Sequence, residues 1–270
     1  MRHFKVQVLI FFSFIFLTLI ILGYTGRDDS HIPYFVSQIF GEQFKLLNYN
    51  GDLIEQSSSL LFSLILGALV FITGIMAPTL GPIVSLTFFV ASYFSALTLI
   101  KRIGLGPLPL LSFYTLPSVY WSLSGMENSL YLFLFFLLAH SVISINIKIL
   151  EKRNNYQDYF LTALFTLLLT LTRPEFIVVC MVAIGLFGLL SYKSLLNYFQ
   201  VAGSMIVGII GAVTIRFFLG LGLFPNTVSA KNHDLIYQTW LGLRYIYKTI
   251  WAVPSSSFLA VIFFLICCLY

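Results

Sequence analysis

The sequence predicts an all-α membrane protein, built as a polytopic bundle of transmembrane helices. Of its 270 residues, 59% are hydrophobic and only 9% are charged, and the mean hydropathy is +0.95. A typical soluble domain carries about 25% charged residues. Too little polar surface is therefore present to cover a water-soluble globule, and several apolar runs approach the roughly 20 residues that a bilayer-spanning helix needs.

The apolar runs follow one another without an internal repeat, so we expect one continuous membrane domain over residues 1–270. The first run follows Arg2 and Lys5, which favours an uncleaved first helix with a cytoplasmic N-terminus. The last run stops at Tyr270, so we expect either a helix that ends flush with the chain or a fragment truncated at its C-terminus. The runs are 6–24, 60–77, 83–100, 107–123, 129–147, 159–171, 176–190, 201–223 and 252–270.

Basic residues indicate which runs cross, because Lys and Arg favour cytoplasmic loops. If every run crossed, Lys101 and Arg102 would lie outside. Run 60–77 is the better candidate for a segment that does not cross, since it carries Gly67 and Gly74 and is followed by Pro78 and Pro82. We expect a re-entrant or interfacial segment over 58–82. The alternative makes 107–123 re-entrant and leaves Lys101 and Arg102 outside.

With that choice the charges separate by membrane side. The first outer loop, 25–57, is mainly acidic, and eight of the ten acidic residues lie outside. Segment 232–251, with Trp240 and Arg244, is expected to form an interfacial helix on the outer surface. The inner side holds Arg2, Lys5, Lys101, Arg102, Lys148, Lys152, Arg153 and Lys193 with only two acids, Glu151 and Asp158.

Three charged stretches on the outer side are candidates for a functional site. Asp28 and Asp29 follow the first helix; adjacent carboxylates can provide a general base or bind a divalent cation, and a solvated loop start is the simpler interpretation. Glu127 precedes an apolar run, where it could instead complement the helix dipole. Arg173 and Glu175 interrupt an apolar stretch, and charges at that depth mark a site or a mutual ion pair.

Arg216 lies within run 201–223, where it could extend to the interface or hold a phosphate group. Tyr34, Asn48, Asn50 and Gln56 could donate hydrogen bonds to sugar hydroxyls or could cap loops. The three cysteines lie in apolar runs without metal-ligand spacing, and no basic run is long enough to predict nucleic-acid binding.

Together, five stretches resemble the membrane-embedded glycosyltransferases of the GT-C superfamily, most nearly the mycobacterial terminal arabinofuranosyltransferase group and its bacterial relatives. The resemblance covers residues 25–231 and depends on the order of the stretches. Gln56 stands where that group usually has glycine. The stretches are Asp28–Ile32, Asn48–Ser58, Ser124–Leu130, Thr172–Glu175, and Arg216 followed by Phe224–Lys231.

The resemblance implies transfer of a sugar from a polyprenyl-phosphate donor to a glycan or lipid acceptor, on the outer face of a bacterial inner membrane. Asp28 or Asp29 would be the general base. Arg173, Arg216 and Lys231 would bind the donor phosphate. The residues expected to position substrate are Tyr34, Asn50, Glu55, Glu127, Glu175 and Asn226.

Two other functions stay open at the level of sequence. Arg216 and the break at Arg173 would suit a transporter or flippase for lipid-linked or small substrates. Transporters, however, tend to place charges near the bilayer midplane and to show repeated halves. An inactive fragment of a longer transferase is the third possibility.

Overall fold

The chain is described from a computed structural model over residues 2–22, 28–52, 57, 59–104, 114, 116–151, 156–190, 195–221, 240 and 244. These residues are helical apart from turns and short connections, with no strand among them. The elements are α1 (Arg2–Leu22), a 3₁₀ turn (Asp28–Ser30), α2 (His31–Gln43), α3 (Leu60–Thr73), α4 (Ala77–Arg102), α5 (Leu116–Ser122), α6 (Asn128–Leu150), α7 (Tyr156–Thr172), α8 (Phe176–Leu190) and α9 (Leu195–Phe218).

Three of the described helices contain segments long and apolar enough to cross a membrane: Ala77–Arg102, Asn128–Ile149 and Tyr198–Phe218. Each segment exceeds 20 residues and would extend about 30 Å or more at 1.5 Å per residue, which matches the hydrocarbon core of a bilayer. These helices indicate a membrane protein and confirm the all-helical fold class for the described part of the chain.

Helices α4 and α6 pack side by side and run parallel. In the first half of α4, Ser85 Oγ donates to the carbonyl oxygen of Met126, just before α6, at 2.9 Å. At the last residue of α4, Arg102 Nη2 donates to Ser144 Oγ, in the last third of α6, at 3.2 Å. Since the two contacts follow the same order along the two helices, the chain returns along the bundle between Arg102 and Asn128.

Helix α7 runs antiparallel to α6, and α9 runs parallel to α7. Lys148 and Asp158 form an ion pair of 2.6 Å near the α6–α7 turn, and Thr162 Oγ1 donates to Ser141 Oγ at 3.0 Å further along. Gly208 of α9 packs directly on the backbone and side chains of α7 around Thr166. The bundle therefore has two distinct ends, which we call the Glu127 end and the Lys148 end.

Helix α3 begins and ends at the Glu127 end. Its first residue, Leu60, packs with Leu171 and Ala212 in the last turns of α7 and α9. Three residues separate its last residue, Thr73, from Ala77 at the start of α4. With 14 residues, α3 is about 21 Å long, shorter than the roughly 30 Å of a hydrocarbon core. That 60–77 does not cross the membrane stays a prediction from the charge pattern.

Several boundaries differ from those expected. The outer loop over 25–57 contains the 3₁₀ turn and α2, because residues 33, 34, 37 and 41 form a buried helical face. A re-entrant or interfacial segment was expected over 58–82. The helix found there, α3, covers only Leu60–Thr73, and α4 begins at Ala77 and includes both Pro78 and Pro82. Pro78 fits the first turn of α4, where its missing N–H has no intrahelical partner, whereas Pro82 lies inside the helix, where its missing N–H removes a bond to the carbonyl oxygen of residue 78.

Other apolar runs also have different helical limits. Within run 107–123, the described helix is α5, which has seven residues. Helices α7 and α9 begin earlier than runs 159–171 and 201–223. The interfacial segment 232–251 lies outside the described residues except for Trp240 and Arg244, whose guanidinium carbon is 5.3 Å from the indole centroid. Run 252–270 lies wholly outside them.

Candidate functional site

A cleft of about 380 Å³ lies toward the Glu127 end, between the 3₁₀ turn and helices α4, α5 and α6. Small-molecule sites typically have volumes of about 300–1,000 Å³. The cleft has one carboxylate and several neutral polar groups, contributed by Asp29, Ser118, Ser122, Asn128 and Ser129. Its apolar lining is Phe89, Trp121, Met126 and Leu132.

Tyr34 joins α2, which directly follows the 3₁₀ turn that carries Asp29, to the turn between α5 and α6. The Tyr34 ring is 2% exposed, and its hydroxyl donates to the Ser124 carbonyl oxygen at 3.0 Å. Burial raises the pKa of Tyr34 above its ordinary value, and a hydrogen bond with Ser30 partly offsets the rise. The phenol therefore stays neutral and remains a donor near neutral pH. Tyr34, expected to contact substrate, packs in the core.

Two glycines make room for the Tyr34 ring. A Cβ atom added at Gly81 of α4 or at Gly125 would overlap the ring or its hydroxyl. Gly125 also has a positive φ of 74°, a conformation that side-chain-bearing residues rarely adopt. The turn between α5 and α6 thus brings its backbone directly against α2, which fixes α2 and the adjoining 3₁₀ turn relative to the cleft.

Ser85 of α4 holds the opposite wall. Its hydroxyl donates to the Met126 carbonyl oxygen at 2.9 Å and lies 3.1 Å from Ser129 Oγ. Met126 and Ser129 both line the cleft. The parallel packing of α4 and α6 therefore sets the shape of the polar wall around Asn128.

Glu127 and Arg173 form an ion pair at the edge of this wall. Arg173 Nη2 is 2.5 Å from Glu127 Oε1, and it also donates to Asn128 Oδ1 at 3.4 Å. Glu127 is only 3% exposed, and its Oε1 lacks an aligned hydrogen bond, so the contact is chiefly electrostatic. Glu127 precedes α6 without making a side-chain cap bond, so its ion pair with Arg173 accounts for its contacts better than helix capping. The mutual pair expected from sequence was Arg173 with Glu175, and the structure places Arg173 against Glu127 instead.

Arg216 lies at the same end of the bundle but does not line the cleft. It is 1% exposed and follows Ala212, the neighbour of Leu171, by one helical turn of α9. Glu175 is exposed and lies two residues after Arg173. The structure therefore brings together Asp29, Asn128, Arg173 and Glu127, and it places Arg216 in a separate buried environment.

Of the remaining expected site residues, only Asn50 has a described side chain, and it does not line the cleft. Asn50 is exposed in a turn, where its backbone N–H donates to Asn48 Oδ1 at 2.9 Å. Asp28 begins the 3₁₀ turn, but its side chain is outside the described structure. Glu55, Asn226 and Lys231 also lie outside the described residues.

The described residues form no group of three or more His, Cys, Asp or Glu side chains that could hold a metal ion. Among the described residues, Asp29 is the one acidic side chain that lines the cleft, and the other polar side chains there are serine hydroxyls and an asparagine amide. Divalent cations such as Mg²⁺ are usually bound through one or two carboxylates together with substrate phosphates. The described cleft therefore offers a partial ligand set, and a divalent cation at Asp28 and Asp29 stays a sequence-based hypothesis.

Sequence reasoning missed the contribution of α5 to the cleft. Ser118 and Ser122 are four residues apart, a spacing that places two side chains on one face of a helix, and Trp121 lies beside them. This polar pair inside the apolar run 107–123 was the available signal. It is weak, because single serines occur in transmembrane helices for packing and for bonding to their own backbone.

Comparisons with protein-family models, with characterised proteins and with solved structures find no match for this chain.

Proposed function

We propose that the protein is a membrane glycosyltransferase that moves a sugar from a polyprenyl-phosphate donor to a hydroxyl of a glycan or lipid acceptor. The observation that carries this proposal is the lining of the cleft: one carboxylate, Asp29, among serine hydroxyls, an amide and the ring of Trp121. A sugar ring presents hydroxyls to polar groups and apolar C–H faces to aromatic rings, so its chemistry fits this combination.

In the proposed reaction Asp29 acts as general base. It accepts the proton of the acceptor hydroxyl while that oxygen forms a bond to the anomeric carbon of the donor sugar. The bond from the anomeric carbon to the phosphate oxygen breaks, and polyprenyl phosphate leaves with the electron pair. Asp29 is exposed and lines the cleft, so substrate has access to its carboxylate.

Arg173 is the described cation best placed to stabilise the leaving phosphate. Its side chain is 30% exposed and is joined to the cleft wall through Asn128. Guanidinium groups bind phosphate oxygens in a fixed geometry, and their charge is worth more where water is partly excluded. The same proposal assigns the protein to the GT-C superfamily and the reaction to the outer face of a bacterial inner membrane. It also includes Lys231 among the residues that bind the donor phosphate.

The proposal is tested with Asp29→Asn, which preserves shape but removes the base. Transfer from radiolabelled undecaprenyl-phosphate pentoses and hexoses is measured in membranes that contain equal amounts of each variant. We expect the rate to fall by about a hundredfold or more, the range typical of general-base removal. Asp52→Asn is the matched control, because Asp52 is an exposed carboxylate of the same segment that contacts Asn48.

Full transfer activity in Asp29→Asn would refute the assignment of the base. Absence of transfer by the wild-type protein, combined with movement of the lipid-linked sugars across liposome membranes, would favour the transporter or flippase. A buried cation is compatible with that function, but Arg216 lies in the last turn of its helix rather than near its middle.

A further inference from the structure

Asn128 is the point at which the cleft meets the Glu127–Arg173 ion pair. It is the first residue of α6, its side chain is exposed, and it lines the cleft with Asp29. On its other side, Asn128 Oδ1 accepts a hydrogen bond of 3.4 Å from Arg173 Nη2. The same side chain therefore contacts a fixed cation and borders the space that a ligand would fill.

The chemistry of arginine fixes the orientation of this amide. A guanidinium group has only N–H donors, so the Asn128 oxygen must face it, because the reversed amide would place two donor groups against each other. Arg173 is itself held by the buried carboxylate of Glu127 at 2.5 Å. Consequently the side-chain oxygen of Asn128 faces Arg173, and the Nδ2 group of Asn128 is directed away from the guanidinium group.

We propose that Asn128 is a specificity residue that donates from Nδ2 to an oxygen of the sugar ring in the cleft. Asp29 supplies an acceptor in the same cleft, so the site offers one fixed donor and one fixed acceptor. A polyhydroxylated ring satisfies both, since each hydroxyl can donate and accept. This inference rests on the proposed function and adds the residue that selects the ligand.

The decisive variant is Asn128→Asp. It keeps the size of the side chain and its contact with Arg173, which a carboxylate would bind at least as well, but it replaces the donor with an acceptor. We expect KM to rise about tenfold or more for the substrate whose ring occupies the cleft, because one hydrogen bond is lost and repulsion is added. The kcat value should fall by a smaller factor than KM rises. Some fall is expected, because the new carboxylate partly neutralises Arg173, which stabilises the leaving phosphate.

Gln157→Glu is the matched control, an amide-to-carboxylate change at an exposed position near the Lys148 end. It should leave both KM values unchanged. An unchanged KM for donor and acceptor in Asn128→Asp would overturn the inference. A purely structural role would lower the thermal midpoint of Asn128→Asp without separating KM from kcat, and that result would also overturn it.

A binding measurement separates this inference from the proposed reaction. Methyl pentosides and hexosides are titrated against the wild-type protein in lipid nanodiscs and observed by saturation-transfer NMR. If wild-type protein transfers no sugar but binds a glycoside, and Asn128→Asp weakens that binding about tenfold, the transferase proposal fails while the role of Asn128 stands. No glycoside binding by wild-type protein, or equal binding by both proteins, overturns the role of Asn128.

Discussion

Arg173 Nη2 lies 2.5 Å from Glu127 Oε1, and this contact joins the start of α6 to the break between α7 and α8. The carboxylate is 3% exposed and the guanidinium side chain is 30% exposed. The pair also connects the end of the bundle to the cleft through Asn128. Its two members are 46 residues apart in sequence, so their pairing depends on the antiparallel packing of α6 and α7.

Removal of the Arg173 charge alone should destabilise the protein. Arg173→Gln leaves the buried Glu127 carboxylate without its counter-charge, a change that typically costs about 3–5 kcal/mol. Because Arg173 is partly exposed, we expect about 2–3 kcal/mol in the free energy of unfolding. The double variant Glu127→Gln/Arg173→Gln should recover at least half of that loss. Denaturant unfolding of the purified protein in mixed micelles measures both.

Glu42→Gln is the control for the Arg173 and Glu127 variants, since Glu42 is an exposed carboxylate that accepts a hydrogen bond from Gln38. It should change the free energy of unfolding by about 0.5 kcal/mol or less. Equal instability of Arg173→Gln and the double variant would contradict the interpretation, because the buried carboxylate would then contribute nothing.

Gly81→Ala should destabilise the protein through its overlap with the Tyr34 ring. Overpacking of a filled core typically costs about 1–3 kcal/mol, and here the displaced ring also positions the 3₁₀ turn of Asp29. We expect a lower thermal midpoint and reduced sugar transfer. The additional substitution Tyr34→Ala should remove the steric conflict, so the double variant should be less unstable than the sum of the two single variants.

Gly185→Ala is the matched control, because a Cβ atom there meets open space within α8. Alanine is favoured over glycine inside a helix by about 1 kcal/mol, so this variant should be as stable as wild type or slightly more stable. Additive losses in Gly81→Ala/Tyr34→Ala would show that the glycine is required for another reason.

Local features of the sequence reveal part of this architecture. The break at Pro174 follows from two charges and a proline between apolar runs, and the structure places residues 173–175 between α7 and α8. The apolar runs also predict the three span-length helices. These features are local, because a proline or an apolar run has the same effect on its helix whatever packs around it.

The missed parts depend on contacts between distant segments. The buried face of α2 includes Ser37 and Gly41, which are small rather than apolar, so hydrophobic periodicity does not reveal it. Gly41 is instead required by close contact with Gly67 and Val70 of α3. In the same way, the cleft forms only because Ser85 meets Ser129, 44 residues later, through parallel packing of α4 and α6.

Gly208→Ala should weaken the packing of α9 on α7. A Cβ atom at Gly208 would overlap the Ala163 carbonyl oxygen and lie 2.8 Å from Thr166 Cβ, so the helices must separate. We expect a loss of about 1–3 kcal/mol in the free energy of unfolding. Gly203→Ala on the same helix is the matched control, since its added Cβ meets nothing within 4 Å. Similar stability of the two variants would contradict the close approach.

Cysteine labelling tests the parallel packing of α4 and α6. Arg102 contacts Ser144 at one end of these helices, while Arg173 contacts Glu127 at the other. In a variant with its three native cysteines replaced by alanine, Lys101→Cys and Glu151→Cys should therefore be labelled from the same membrane face. Glu175→Cys should be labelled from the opposite face. All three positions are exposed, so an impermeant maleimide can reach them.

Intact cells and inverted vesicles expose opposite faces to that maleimide, and detergent-solubilised protein shows the maximum labelling of each cysteine. Labelling of Lys101→Cys together with Glu175→Cys would mean that α4 runs antiparallel to α6. The return of the chain between Arg102 and Asn128 would then be unnecessary, and α5 would lose the position from which Trp121 and Ser122 line the cleft with Asp29. The labelling pattern therefore tests the topology on which the candidate site depends.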